Sequence, residues 1–88
     1  MLNINLIKQT TNSAILKSRK NDISIANTRI KRRAKEGYNF VWVNLSFNKN
    51  DYKESIMTYF KELGFNVSYP MLPTGNLDKN GSTIEISW

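Results

Sequence analysis

Arg29, Lys31, Arg32, Arg33 and Lys35 place five cations within seven consecutive positions. A run of that density suits phosphate binding. The planar fork of arginine matches phosphate oxygens, and each neutralised phosphate releases condensed counterions. Arg19 and Lys20 extend the patch. The same run also fits a solvated helix face, or a surface that meets an acidic protein. Just beyond it stand Tyr38, Phe40 and Trp42. Aromatic rings on one sheet face beside cations let bases stack. The competing expectation for these rings is burial in the core or in a homodimer face. Lys35-Glu36-Gly37-Tyr38-Asn39-Phe40-Val41-Trp42 shadows the signature of an RNA-recognition motif without matching it.

Other chemistry has little to work with. The chain has no cysteine and no histidine, so the thiolate, the usual zinc ligand and the usual neutral-pH base are all missing. Asp51 and Glu54 fit the first turn of a helix, where the dipole favours anions, better than they fit a catalytic pair. Asp78 and Glu85 stand alone, and no carboxylates recur at metal-ligand spacing. Pro73-Thr74-Gly75-Asn76 is a turn-former and not a phosphate-cradling loop. Serine, tyrosine and lysine are present, but nothing in their spacing arranges a nucleophile. The expectation is a binding protein rather than an enzyme, with no metal and no cofactor.

The charge that would do the binding is unevenly placed. Residues 1–35 hold nine basic side chains and one acid, a balance of +8, whereas residues 36–88 hold four basic and six acidic ones, a balance of −2. Such asymmetry favours an anionic partner: a nucleotide, a nucleic acid or an acidic protein surface. Eighty-eight residues make one domain, with residues 1–21 as an N-terminal segment and 22–88 as the core. No apolar run approaches the roughly 18 residues that span a bilayer, so no membrane association is expected. Met1 to Ile7 is interrupted by Asn3 and Asn5 and is short for a signal peptide, which predicts a cytoplasmic location.

The elements that must hold these residues follow from periodicity. Met1–Lys17 shows both strand alternation (Leu2, Ile4, Leu6) and helical spacing (Ile4, Ile7, Thr11), and a short helix is expected there. Ser18–Asn21 reads as a connection. Asp22 or Ser24 caps a second helix, whose stripe Ile23, Ala26, Ile30 and Ala34 faces inward while the cations take the remaining arc. Gly37 stops it. Phe40–Phe47 is the strongest strand, with Val41, Val43, Leu45 and Phe47 on one face. Asn48 or Asn50 caps the next helix, with Tyr52, Ile56, Tyr59, Phe60 and Leu63 as its stripe, Lys53 and Lys61 off it, and Gly64 as its stop. Phe65–Tyr69 is a second strand, marked as an edge by Pro70. A loop over 71–82 leads to a third strand, Thr83–Trp88, with Ile84, Ile86 and Trp88 facing in. The fold class is α+β: an (α)αβαββ domain with a three-stranded mixed sheet and helices on one face. The crossover makes the first two strands parallel, and the last runs antiparallel, beside or between them.

Ile30-Lys31-Arg32-Arg33-Ala34-Lys35-Glu36-Gly37, then Leu63-Gly64-Phe65-Asn66-Val67, then the closing Ile86-Ser87-Trp88, together resemble a loose group of small phage-encoded proteins with an αβαββ core. The likeness runs over residues 23–88, with Phe65 where tyrosine is commoner. It implies a phage accessory or host-takeover protein, in the host cytoplasm, including one that counters a bacterial defence. It assigns no functional residue. The expected function is a non-enzymatic binder that blocks or sequesters an anionic target. The alternatives are direct DNA or RNA binding through the basic helix, and a structural homodimer formed through the open sheet face.

Overall fold

In the computed structural model, which describes residues 3–88, the order is α1 (Ile4–Lys35), β1 (Phe40–Asn44), α2 (Asn50–Glu62), β2 (Asn66–Ser68) and β3 (Thr83–Ser87). The α+β class holds, but the two expected N-terminal helices are one helix of 32 residues. Ser18–Asn21 contains neither glycine nor proline, so nothing there breaks the backbone ladder. Asp22 is not a cap. It sits mid-helix and is buried. The cap is Asn3, whose Oδ1 accepts from the Leu6 N–H at 2.8 Å. Leu2, which began the strand-like alternation, lies outside the described residues.

Both helices stop in the same way. Gly37 takes φ +88°, its N–H donates to the Ala34 carbonyl, and the Tyr38 N–H donates to the Arg33 carbonyl at 3.0 Å. Gly64 takes φ +97°, its N–H donates to the Lys61 carbonyl, and the Phe65 N–H donates to the Phe60 carbonyl at 3.1 Å. Each is a left-handed closure that pairs carbonyls the helix leaves open. After α2 it also sets Phe65 edge-on to Phe60, with ring centroids 6.0 Å apart.

The strand order is β1-β3-β2, and both pairings are antiparallel. β1 and β2 do run the same way, as the crossover through α2 requires. Because β3 enters between them, no parallel ladder forms, and the sheet is antiparallel rather than mixed. Val41 sits opposite Ile86, which sits opposite Val67, and Val43 sits opposite Ile84. These side chains meet Ala26 and Ile30 of α1 and Ile56, Met57 and Phe60 of α2 in the core. Burial of that apolar surface is the main stabilising term. Both helices therefore cover one face, and the other stays open.

Several margins differ from expectation. Ala34 is exposed, lying to one side of the buried line Asp22, Ala26 and Ile30, and Leu63 is exposed at the end of α2. β1 ends at Asn44, although Leu45 remains buried and its N–H reaches the Ser82 carbonyl at 2.8 Å. Ser46 and Phe47 then turn away, with Phe47 edge-on to Tyr52. β2 spans only Asn66–Ser68, and Trp88 is partly exposed at the sheet end, edge-on to Phe65. The 71–82 loop folds on itself through a Met71–Leu77 bridge. Among the described residues, no helix is long and apolar enough to cross a membrane.

Candidate functional site

The buried positions of α1 in its C-terminal half are Asp22, Ala26 and Ile30. Successive residues turn by about 100° in a helix, which sets Thr28, Lys31, Arg32 and Lys35 on the opposite side. They are all exposed, and they line a shallow cleft of about 350 Å³. Lys17 and Lys20 are exposed too and share that arc, with Ser24 and Thr28 hydroxyl-bearing positions between. From Lys17 to Lys35 the stripe runs about 27 Å along the helix. It contains no carboxylate.

Arg29 borders the stripe beside Arg32, whereas Arg33 lies on the inward side of the helix, seven residues after Ala26; both are partly buried. With Arg32 and Glu36 they line a second cleft of about 250 Å³. Arg33 approaches Glu36 at 3.8 Å, an exposed contact whose energy solvent screening reduces to about 0–1 kcal/mol. Its guanidinium also lies 4.7 Å from the centre of the Tyr38 ring. Among the described residues this is the one ion pair within the cationic run. Arg19 does not extend the patch: its Nε donates to Ser55 Oγ at 2.7 Å, on the α2 side of the helix.

The aromatic residues are not core. Tyr38 is 47%, Phe40 40% and Trp42 51% exposed. Phe40 and Trp42 alternate with buried Val41 and Val43, so they project from the open sheet face. Trp42 Nε1 donates to Glu85 Oε1 at 3.2 Å across the β1–β3 pair. Tyr38 meets Phe40 edge-on at 6.3 Å. The residues expected to form one site thus divide. Lys31, Arg32 and Lys35 point away from the sheet, Phe40 and Trp42 point out of its far side, and Arg33 with Tyr38 joins the two around the end of α1.

Two buried polar groups escaped the sequence reading. Lys53, expected off the α2 stripe, is fully buried. Its ammonium donates to Asn48 Oδ1 at 3.1 Å, to the Lys79 carbonyl at 2.7 Å and to the Gly81 carbonyl at 2.9 Å. The signal was present: Lys53, Ile56, Met57 and Phe60 keep the i, i+3, i+4, i+7 spacing of one face. Asn48 is occupied by this contact and by donating to the Asn80 carbonyl, so it does not cap α2. Lys49 holds the cap position with no side-chain bond.

The second group is Asp22. Its carboxylate accepts from the Ser46 N–H at 2.9 Å, from Ser46 Oγ at 2.8 Å and from the Tyr52 hydroxyl. Burial, reinforced by the bond to Asp22, pushes the Tyr52 hydroxyl well above the ordinary phenol range, so it stays a donor. This network fixes the chain between β1 and α2 against α1.

Compared with known proteins, the chain matches no family model, no curated sequence and no solved structure.

Proposed function

We propose that the protein is a non-catalytic binder of a polyanion, and that it docks the outward face of α1 on the phosphate backbone of a nucleic acid. What carries this proposal is the row of Lys17, Lys20, Lys31, Arg32 and Lys35 on one helix side, none of them in an ion pair among the described residues. Cations that serve solubility alone are commonly interspersed with carboxylates. Here the acids are elsewhere, mostly on the other half of the chain. The hydroxyl of Ser24 adds a neutral phosphate donor between the charges, whereas that of Thr28 donates to the Ser24 carbonyl at 3.1 Å.

Such a binder works by stoichiometric occupation. The likeness to small phage proteins supplies a setting for it, as an accessory that occupies host nucleic acid or the nucleic-acid component of a defence complex. A second reading is favoured by the exposure of Phe40 and Trp42: a single strand whose phosphates follow Arg29 and Arg33 while its bases stack on the rings.

Fluorescence anisotropy with a labelled duplex and a labelled single strand of equal length tests both. Micromolar binding to the duplex that weakens steeply with salt supports docking through α1. Binding confined to the single strand supports the stacking surface. No binding to either at low salt rejects nucleic acid as the target.

A further inference from the structure

The first third of α1 has nothing to lie on. Residues 3–14 are all exposed, and the first partly buried side chain is Ile15. The overhang accounts for the elongated shape: the long axis is 54 Å and the radius of gyration 15.1 Å, against about 12 Å for a compact chain of this length. The overhang extends a docked helix and needs no nucleus of its own, but Asn5, Thr10, Thr11, Asn12 and Ser13 are weak helix formers, so its end frays readily. Cover from outside the monomer would stabilise it.

The overhang carries both halves of a self-complementary contact. Ile4, Ile7, Thr11 and Ala14 recur at steps of three, four and three, the seam spacing of paired helices. Beside that seam, where the overhang meets the start of α2, lies an apolar groove of about 370 Å³ lined by Thr11, Ala14, Ile15, Phe47 and Tyr52, among others.

We propose that this surface joins two copies of the chain, the overhang of each lying in the groove of the other. Charge selects that occupant. The outward arc of α1 from Lys17 to Lys35 repels its counterpart on a second copy, yet residues 3–16 carry a single charge, Lys8. Lys49 is the one charged side chain that lines the groove, and the pocket next to it adds Asp51 together with Arg19. The overhang is thus the part of α1 that a second cationic copy can approach. Two-fold pairing of helices about 18 Å long, with Phe47 and Tyr52 of each groove added, makes a contact at the small end of specific interfaces, so the dimer should form at the upper end of the concentration range. The pairing would also set two cationic stripes on one particle.

Sedimentation velocity of the full chain over a concentration series tests this, with Ile7→Asp and Ala14→Asp on the seam and Leu6→Asp on the far side of the helix. Both seam positions are exposed, so neither change disturbs the monomer's core. The expected result is a species of twice the 10.2 kDa chain mass that both seam variants dissociate and Leu6→Asp preserves. Amide exchange over residues 4–14 should be slow in the dimer and at least tenfold faster in the seam variants. A chain monomeric at every concentration overturns the proposal, as does a dimer that the seam variants leave intact and Trp42→Ala dissociates. A monomer whose overhang becomes helical only on anionic vesicles also overturns it, in favour of a lipid surface.

Discussion

The ammonium of Lys53 donates to the main-chain carbonyl of Lys79 at 2.7 Å, from a side chain with no exposed surface. Together with the bonds to Gly81 and Asn48 it ties the approach to β3 onto α2, so the central strand enters the sheet at a fixed point. Lys53→Met keeps the stem's packing and leaves three oxygens without their donor. Urea unfolding should show a loss of about 2–3 kcal/mol. A change under about 0.5 kcal/mol would mean that water replaces the ammonium freely.

Asp22 and Tyr52 give a prediction about pH. The hydroxyl of Tyr52 is raised above its ordinary value of 10.0 in the folded protein. A raised group contributes stability that is complete below its unfolded pKa and is withdrawn as pH climbs towards the folded one. Stability should therefore fall above about pH 10 more steeply in the wild type than in Tyr52→Phe. Parallel curves for the two proteins in that range would show that Tyr52 does not carry the effect. Asp22→Ala, which strands the Ser46 N–H and the Tyr52 hydroxyl, should cost about 2–4 kcal/mol at neutral pH.

Gly37 holds φ +88°, and a Cβ built there meets nothing within 4 Å. Gly37→Ala thus isolates the backbone term. The expected loss is about 1 kcal/mol, read by thermal or urea unfolding. No loss would mean that the turn between α1 and β1 relaxes out of the left-handed conformation and that Tyr38 is not held against Arg33.

Trp42 separates the two binding readings. It is half exposed, so Trp42→Ala should change stability little. If single strands stack on the open sheet face, the variant loses about 1–3 kcal/mol of single-strand affinity and none of its duplex affinity. An equal loss for both would place Trp42 in the fold rather than in the contact.

Much of the framework was legible. Gly37 and Gly64 announced both helix ends, and the alternation at Val41, Trp42 and Val43 announced the first strand. What stayed hidden were polar residues that keep a buried spacing. Asp22 sits four residues before Ala26, and Lys53 three before Ile56, on faces that go inward. Their types suggest a cap and a solvated lysine, and the partners that satisfy them, Ser46, Tyr52, Lys79 and Gly81, are remote in sequence. The continuity of α1 was hidden for a related reason, since polar Ser18–Asn21 resembles a connection whenever no partner helix is in view. The five cations were legible as a cluster, but their division around the helix end depends on which side of α1 meets the sheet.

The most direct test is the salt dependence of duplex affinity for the wild type and for a Lys31→Glu, Arg32→Glu, Lys35→Glu variant. If four or five stripe cations meet phosphates, log Kd should rise with log salt at a slope of about 4, since each contact contributes about 0.9. The variant should bind at least a hundredfold more weakly, with a slope lower by about 3 and unchanged unfolding. Equal affinities and equal slopes for the two proteins would contradict docking through the outward face of α1.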